Sequence, residues 1–351
     1  MRWLISGCAG FIGTNAARYF LKGGDTVIGI DDFSSPMSRW RSDHALTQPG
    51  IQLWVDDLLT APKYPFDSNF NGGDSPDAIL HLAAQTAVTK SVEDPFNDAD
   101  RNIKATIRLL EWNKEWKVPF IYASTNKVYG NGLPDKDLCK TTLRVPESLG
   151  RTARWWPSSP VWAIDSPTKR VWHDWDVDPR TPYGVSKYAG ELYVHDYAET
   201  YDFPYTIFRQ SCIYGPGQFG TEDQGWVAWL LWQAIKGAPV TIYGDGCQVR
   251  DLLYVEDLCQ MYSVAARSNC REIVGVGGGV QNTASVREVY GYLVNQLGGT
   301  PQCSNAAWRP NDQKFYCTAD SWYMNMVHTS VKDGLDKMIM WARGTGVQEP
   351  V

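Results

Sequence analysis

Six short apolar runs mark the first two thirds of the chain: Trp3-Leu4-Ile5, Thr26-Val27-Ile28-Gly29-Ile30, Gln52-Leu53-Trp54-Val55, Ala78-Ile79-Leu80-His81, Phe120-Ile121-Tyr122 and Thr206-Ile207-Phe208. Helical or turn-rich stretches separate most of them. Strand alternating with helix predicts an α/β fold, a doubly wound parallel sheet covered by helices on both faces. From about Gly217 the pattern becomes mixed, with a helix-like stretch from Trp226 to Ala234 and several short strands. The expected division is therefore a first domain over 1–216 and a smaller mixed α/β lobe over 217–351, some of whose strands return to the main sheet. No internal repeat, long charge run or low-complexity linker interrupts the chain.

Composition narrows the classes. The chain has 351 residues, 43% hydrophobic and 21% charged, enough for one large domain or two that share a core. No stretch reaches the roughly 18 apolar residues of a membrane helix. Met1 runs directly into Trp3-Leu4-Ile5 without a basic-then-apolar leader, so the expected location is cytoplasmic. The eight cysteines form no CxxC pair and the five histidines no ligand-spaced cluster, which argues against a disulfide framework and a metal site. A formal net charge of -6 argues against nucleic acid as a partner while permitting a local basic pocket for an anionic ligand. Sixteen tryptophans are the oddity, and most are expected in the core.

Chemistry first appears in Gly7-Cys8-Ala9-Gly10-Phe11-Ile12-Gly13, between the first strand and a helix opening near Phe11. Glycine allows a sharp turn and close approach to a pyrophosphate, and the helix N-terminus offers unpaired N–H groups. Three spaced glycines alone are weak evidence. Their context is stronger, because the second strand ends in Asp31, the distance downstream at which a carboxylate takes the adenosine ribose hydroxyls. A 2'-phosphate would be repelled there, which favours NAD over NADP, with Arg39 and Arg41 the nearby features that weigh the other way. A second motif is Tyr183-Gly184-Val185-Ser186-Lys187. On a helix, Tyr183 and Lys187 share one face, and the ammonium would favour the ionised phenol for proton transfer. Alone, this spacing more often marks an exposed helical Tyr and Lys.

Eight motifs in order carry a resemblance over most of the chain: GCAGFIG, Asp31-Asp32, Asp56-Asp57-Leu58, His81 to Ala84, Ser124 to Gly130, YGVSK, RQSCIYGPG and VRDLLYVED. They resemble the extended short-chain dehydrogenase/reductase family of nucleotide-sugar epimerases and dehydratases. The resemblance implies a Rossmann domain that holds NAD tightly and a C-terminal lobe that grips a nucleoside diphosphate sugar. Carried across by position, Gly7, Gly10, Phe11, Ile12 and Gly13 would form the pyrophosphate loop, and Asp31, Asp32, Asp57 and Leu58 would meet the adenosine half. Leu82, Ala83, Ala84, Asn102 and Ser124 would line the rest of the cofactor. Tyr183 would be the acid/base, Lys187 would hold the nicotinamide ribose, and Thr125 would share the sugar hydroxyl's proton. Arg250 and Arg309 would clamp the substrate phosphates, with Gln85, Asn126, Lys127, Ser211 and Gln224 as further substrate contacts. A homodimer is implied, built on helices near Asn102 to Trp112 and Tyr183 to Tyr201.

Within that family, the 4,6-dehydratases look to carry Asp and Glu where this chain has Asn126 and Lys127, so dehydration is disfavoured. Thr125-Asn126-Lys127, with Asp223 to Trp229 and Arg309 to Asp320, is most similar to the CDP-paratose 2-epimerase branch. That branch implies inversion beside the anomeric carbon. A UDP-hexose 4-epimerase is the alternative with the same machinery, and a catalytically silent NAD-binding sensor or assembly protein is the alternative of another class. Lys127 reads equally as a solvated rim residue and as a group that polarises a carbonyl or offsets phosphate charge. Cys212 stands where many members have Asn, leaving Ser211 to supply the polar contact, and nothing pairs the thiol with a base. The Trp-rich segment, about 133–180, reads as packing for a long surface excursion ahead of a lid over the substrate.

Overall fold

The computed structural model describes residues 1–62, 75–132, 135–142, 149, 153–158, 177–309, 312–318 and 322–344. Fifteen strands occur among them: β1 (Arg2–Ser6), β2 (Thr26–Asp31), β3 (Ile51–Val55), β4 (Ala78–His81), β5 (Phe120–Thr125), β6 (Leu138–Thr141), β7 (Arg154–Pro157), β8 (Tyr205–Gln210), β9 (Cys212–Tyr214), β10 (Val240–Tyr243), β11 (Val249–Tyr254), β12 (Arg271–Val276), β13 (Thr283–Ser285), β14 (Cys303–Ala306) and β15 (Phe315–Tyr316). The helices are α1 (Phe11–Lys22), α2 (Ser38–Ala45), α3 (Val88–Glu93), α4 (Pro95–Ala99), α5 (Ala105–Trp116), α6 (Pro182–Tyr201), α7 (Trp226–Lys236), α8 (Val255–Ser268), α9 (Val286–Leu297) and α10 (Val331–Gly344).

Seven strands form one parallel sheet in the spatial order β12-β8-β5-β4-β1-β2-β3. The chain starts at β1, winds outward to β3, then crosses back to β4, so a crevice opens at the carboxyl ends of β1 and β4. Side-chain alternation along β1 divides the core. Trp3 and Ile5 join the apolar cluster that includes α1 and α8, whereas Leu4 joins the one that includes α5 and α6. Both layers approach closely, and at Gly190 on α6 any Cβ would run into the Tyr122 hydroxyl. Strand β12, from the second half of the chain, completes the sheet edge beside β8.

The remaining C-terminal elements make a second core. Strand β11 pairs with β9 and β15 in parallel and with β13 antiparallel, while α7, α9 and α10 cover a cluster that includes Leu231, Leu252, Leu293 and Leu335. Part of the Trp-rich segment is ordered onto this region. Strands β6 and β7 pair antiparallel, the Trp155 N–H donates to the Cys247 carbonyl at 2.9 Å, and Trp156 packs with Val128, Phe315 and Tyr316. Arg154 donates to Glu288 on α9 at 2.6 Å, with both side chains 1% exposed. Trp155 and Trp156 thus serve packing; Trp162, Trp172 and Trp175 lie outside the described residues. Among the described residues no helix is long and apolar enough to cross a membrane, and no group of His, Cys, Asp and Glu could hold a metal ion.

Candidate active site

The turn after β1 is built for close approach. Gly7 has φ +70, and a Cβ there would lie 2.7 Å from the Ala83 nitrogen; a Cβ on Gly13 would lie 2.8 Å from Cys8 Cα. Gly10 caps α1, and Phe11 and Ile12 open it, so the first-turn amides face the crevice where the strand order reverses. The cradle that side chains would fill fits a dinucleotide pyrophosphate.

At the adenosine end, Asp31 is buried and accepts from the backbone N–H groups of Ala9 and Phe33, both at 2.9 Å. Burial raises its carboxyl above the ordinary range, with the two amides and Arg41 opposing. Each carboxylate oxygen has a second lone pair, so ribose hydroxyls remain compatible with these bonds. Arg41 does not reach outward to a 2'-phosphate: it is buried, and its guanidinium donates to the carbonyls of Gly217 and Ala9. Arg39 lies over the Phe33 ring, 4.8 Å from its centre. Asp32 accepts from Ser34 and from Arg101, and Asp57 accepts from the Leu59 N–H. Leu58 is buried.

The middle of the crevice is fixed by polar side chains from distant segments. Ser6 Oγ accepts from the Leu82 and Ala83 amides at 3.1 and 3.2 Å and bonds His81 Nδ1 at 2.6 Å. His81 Nε2 continues to Thr106. Burial and the charge of Lys187 push the imidazole well down, so this is a neutral structural histidine. Ala84 leads into Gln85, whose amide is spent internally on Ala87 and Asp98. Asn102 donates to Asp98, Ser186 and the Gln85 carbonyl.

The reactive cluster grows from two local signals. Thr125 ends β5 and accepts from the Lys127 N–H at 3.2 Å, starting a one-turn helix over Asn126–Tyr129. Thr181 caps α6 with Pro182 in its first turn, which places Tyr183 at the helix start and Lys187 and Glu191 at successive four-residue steps on one face. Thr125 adjoins Tyr183 and donates to Asn126 Oδ1 at 3.4 Å. Burial pushes Tyr183 up to about 12, with the neighbouring Thr125 hydroxyl opposing and Asp98 adding to the rise. Lys187 is itself buried, which pushes its ammonium down to about 7 against the carboxylates of Glu191 and Asp98. Ser124 donates to Glu191, and Arg209 grips Glu191 at 2.7 to 3.1 Å.

Toward the C-terminal lobe, Lys127 is half-buried rather than fully solvated. Burial and then Arg250 push its ammonium down to about 8, with Asp312 and Cys212 opposing. Arg250 is paired with Asp312 at 2.8 Å. Lys127, Arg250, Asp312 and Cys212 therefore form one electrostatic group beside the buried Asn126. Burial raises the Cys212 thiol, so it is not a ready nucleophile. Arg309 adjoins this group, its carbonyl accepting from the Asp312 N–H at 3.3 Å, while its guanidinium lies 3.4 Å from Asp223 and 4.0 Å from the centre of the Tyr243 ring. Ser211 bonds Asp251, and Gln224 bonds Thr86. Sequence reasoning missed Asp98, Arg101, Glu191 and Arg209; only Glu191, four residues beyond Lys187, had a local signal.

A doubly wound sheet with a glycine cradle at its switch point and a Thr-Tyr-Lys cluster beside it defines an NAD enzyme of the extended short-chain dehydrogenase/reductase class. Residues 158–277 match the NAD dependent epimerase/dehydratase family, and residues 4–143 match GDP-mannose 4,6 dehydratase. The chain is 31% identical to CDP-paratose 2-epimerase of Salmonella typhi, covering 97% of this chain and 99% of that one. It is 24% identical to UDP-glucuronate 4-epimerase of Thermodesulfobacterium geofontis, over 97% and 96%. The crystal structure of Thermus thermophilus UDP-glucose 4-epimerase in complex with NAD superposes with TM-score 0.78 at 26% identity, covering 98% and 100%. The chain belongs to the NAD dependent epimerase/dehydratase family. It is an enzyme of the nucleotide-sugar epimerase and dehydratase kind, with NAD as cofactor.

Proposed function

We propose that the protein inverts C2 of a nucleoside diphosphate hexose, with a CDP-sugar favoured, through a transient 2-keto sugar. The observation that carries this reading is the turn Thr125-Asn126-Lys127. It holds an amide and an ammonium, beside Thr125 and Tyr183, at positions where dehydration would call for carboxylates. Full-length similarity to CDP-paratose 2-epimerase supports the same choice.

Bound NAD supplies a reversible two-electron oxidation of the sugar carbon. The residues proposed to hold it are the cradle at Gly7, Gly10 and Gly13, the carboxylates Asp31, Asp32 and Asp57, and Lys187. In its ionised form, which the Lys187 ammonium one helical turn away favours against burial, Tyr183 takes the sugar hydroxyl proton as the ketone forms and returns it after the sugar has turned over. Thr125, beside the phenol, shares the sugar hydroxyl's proton. Arg250 and Lys127 hold the anionic diphosphate side, while Asn126 hydrogen-bonds a neighbouring hydroxyl or the ketone. No net redox change results. A homodimer belongs to the same reading, because Val185, Leu192 and Tyr193 on α6 are 51%, 54% and 40% exposed; so does a cytoplasmic location. The second reading, a UDP-hexose 4-epimerase, is supported by the UDP-glucose and UDP-glucuronate relatives.

The test is incubation with CDP-, UDP- and GDP-sugars in ordinary and heavy water without added NAD, followed by NMR. Inversion at C2 with no solvent deuterium supports the proposal. Inversion at C4 alone selects the second reading, and deuterium beside a keto carbon overturns direct oxidation and return.

A further inference from the structure

The adenosine end of the crevice carries an arginine that no family motif quoted above contains. Between α4 and α5 the backbone widens into a π-helical turn, Asp100–Lys104. Such turns change the direction of successive side chains and recur at functional sites. Here Asn102 faces inward to Ser186 on α6, while its neighbour Arg101 reaches the ends of two strands. Arg101 Nη1 lies 2.5 Å from Asp32 Oδ2, just beyond β2, and Nη2 lies 3.7 Å from Asp57 Oδ2, just beyond β3. Asn97 steadies Nε at 3.4 Å. Ser34 holds the other oxygen of Asp32 through both its N–H and its hydroxyl.

We propose that Arg101 is a positioning residue that straps the adenosine end of the cofactor site shut, joining Asp32 to Asp57 and slowing the release of NAD. The proposal rests on the placement of the adenosine half beside these two carboxylates. A fork of guanidinium donors can engage two carboxylates at once, which a lysine cannot match. The strap is accessible to salt: the side chains of Arg101, Asp32 and Asp57 are 32%, 22% and 34% exposed. Ions at about 0.5 M shorten the screening length to a few ångströms, so the strap loosens with ionic strength.

The experiment follows NAD release and involves no sugar, so its outcome is separate from that of the C2 reading. Purified protein is assayed for NAD per chain, then chased with excess fluorescent etheno-NAD at low and at about 0.5 M salt. The wild type should release NAD about three- to tenfold faster at high salt, and Arg101→Met should release it about that much faster already at low salt, with little salt response. Arg101→Lys should fall between the two and keep salt sensitivity. Circular dichroism and urea midpoints establish that each variant is folded. If Arg101→Met does not fold, the wild-type salt response and Arg101→Lys decide. A wild-type release rate indifferent to salt, or an Arg101→Met variant that holds NAD as the wild type does, overturns the strap.

Discussion

The ammonium of Lys187 sits 4.3 Å from the centre of the Tyr122 ring, on the strand next to the one that carries the cradle's Ala83 wall. Glu191 and Asp98 supply opposing charge, yet burial still lowers its pKa to about 7. Unfolded, the same lysine titrates near 10.4. Between those values the unfolded chain binds the extra proton, so this group makes stability rise with pH. The wild type should therefore gain up to a few kcal/mol relative to Lys187→Met from pH 7 to 10. Urea midpoints of the two proteins measure the gap, and parallel curves would contradict the assignment.

Lys127 should make substrate affinity fall as pH rises through about 8, where its ammonium loses its proton. Lys127→Gln should raise KM about tenfold or more below that pH, as loss of a charge-assisted bond implies, and flatten the dependence. Initial rates across pH 6.5 to about 9.5 separate this from a loss in kcat.

Arg209 and Glu191 form a pair with side chains 8% and 1% exposed, and Tyr129 also bonds the arginine. Arg209→Met leaves a buried carboxylate with only the Ser124 hydroxyl and the Lys187 side chain one helical turn away. A loss of about 3–5 kcal/mol is expected from breaking one side of such a pair. Urea unfolding gives the value, and a change below about 1 kcal/mol would show that the site relaxes around the loss.

Gly13→Ala puts a methyl against the Gly7 carbonyl and Cys8 Cα, both backbone atoms with little freedom to yield. NAD released by acid from the purified variant should fall well below one per chain. Retention at the wild-type level would place the pyrophosphate elsewhere.

What could be read from the chain follows from the range of the forces involved. The parallel sheet was legible because buried strands such as Ala78–His81 and Tyr205–Gln210 leave short apolar runs, Ala78-Ile79-Leu80 and Ile207-Phe208, separated by helical stretches. Tyr183 and Lys187 were legible because four residues make one helical turn, with Thr181 and Pro182 to start it. Asp98, however, meets Ser186 across 88 positions and Arg101 meets Asp32 across 69, and no local periodicity records such pairs. Spacing likewise shows that Lys187 shares a helix face with Tyr183, but not that the phenol is buried, which raises it.

The Arg154–Glu288 pair has a mechanical meaning. In chain order the β6–β7 hairpin precedes α6 and belongs with the first half, yet its arginine is buried against a carboxylate of α9 in the second. Glu288 also bonds the N–H of Ser285, closing the cap of α9. Trp156 of the same hairpin packs with Val128 as well as with Phe315 and Tyr316, so the hairpin ties the two halves together. A chain severed after residue 216 would expose an arginine with no counter-charge, so covalent order and packing divide this molecule along different lines.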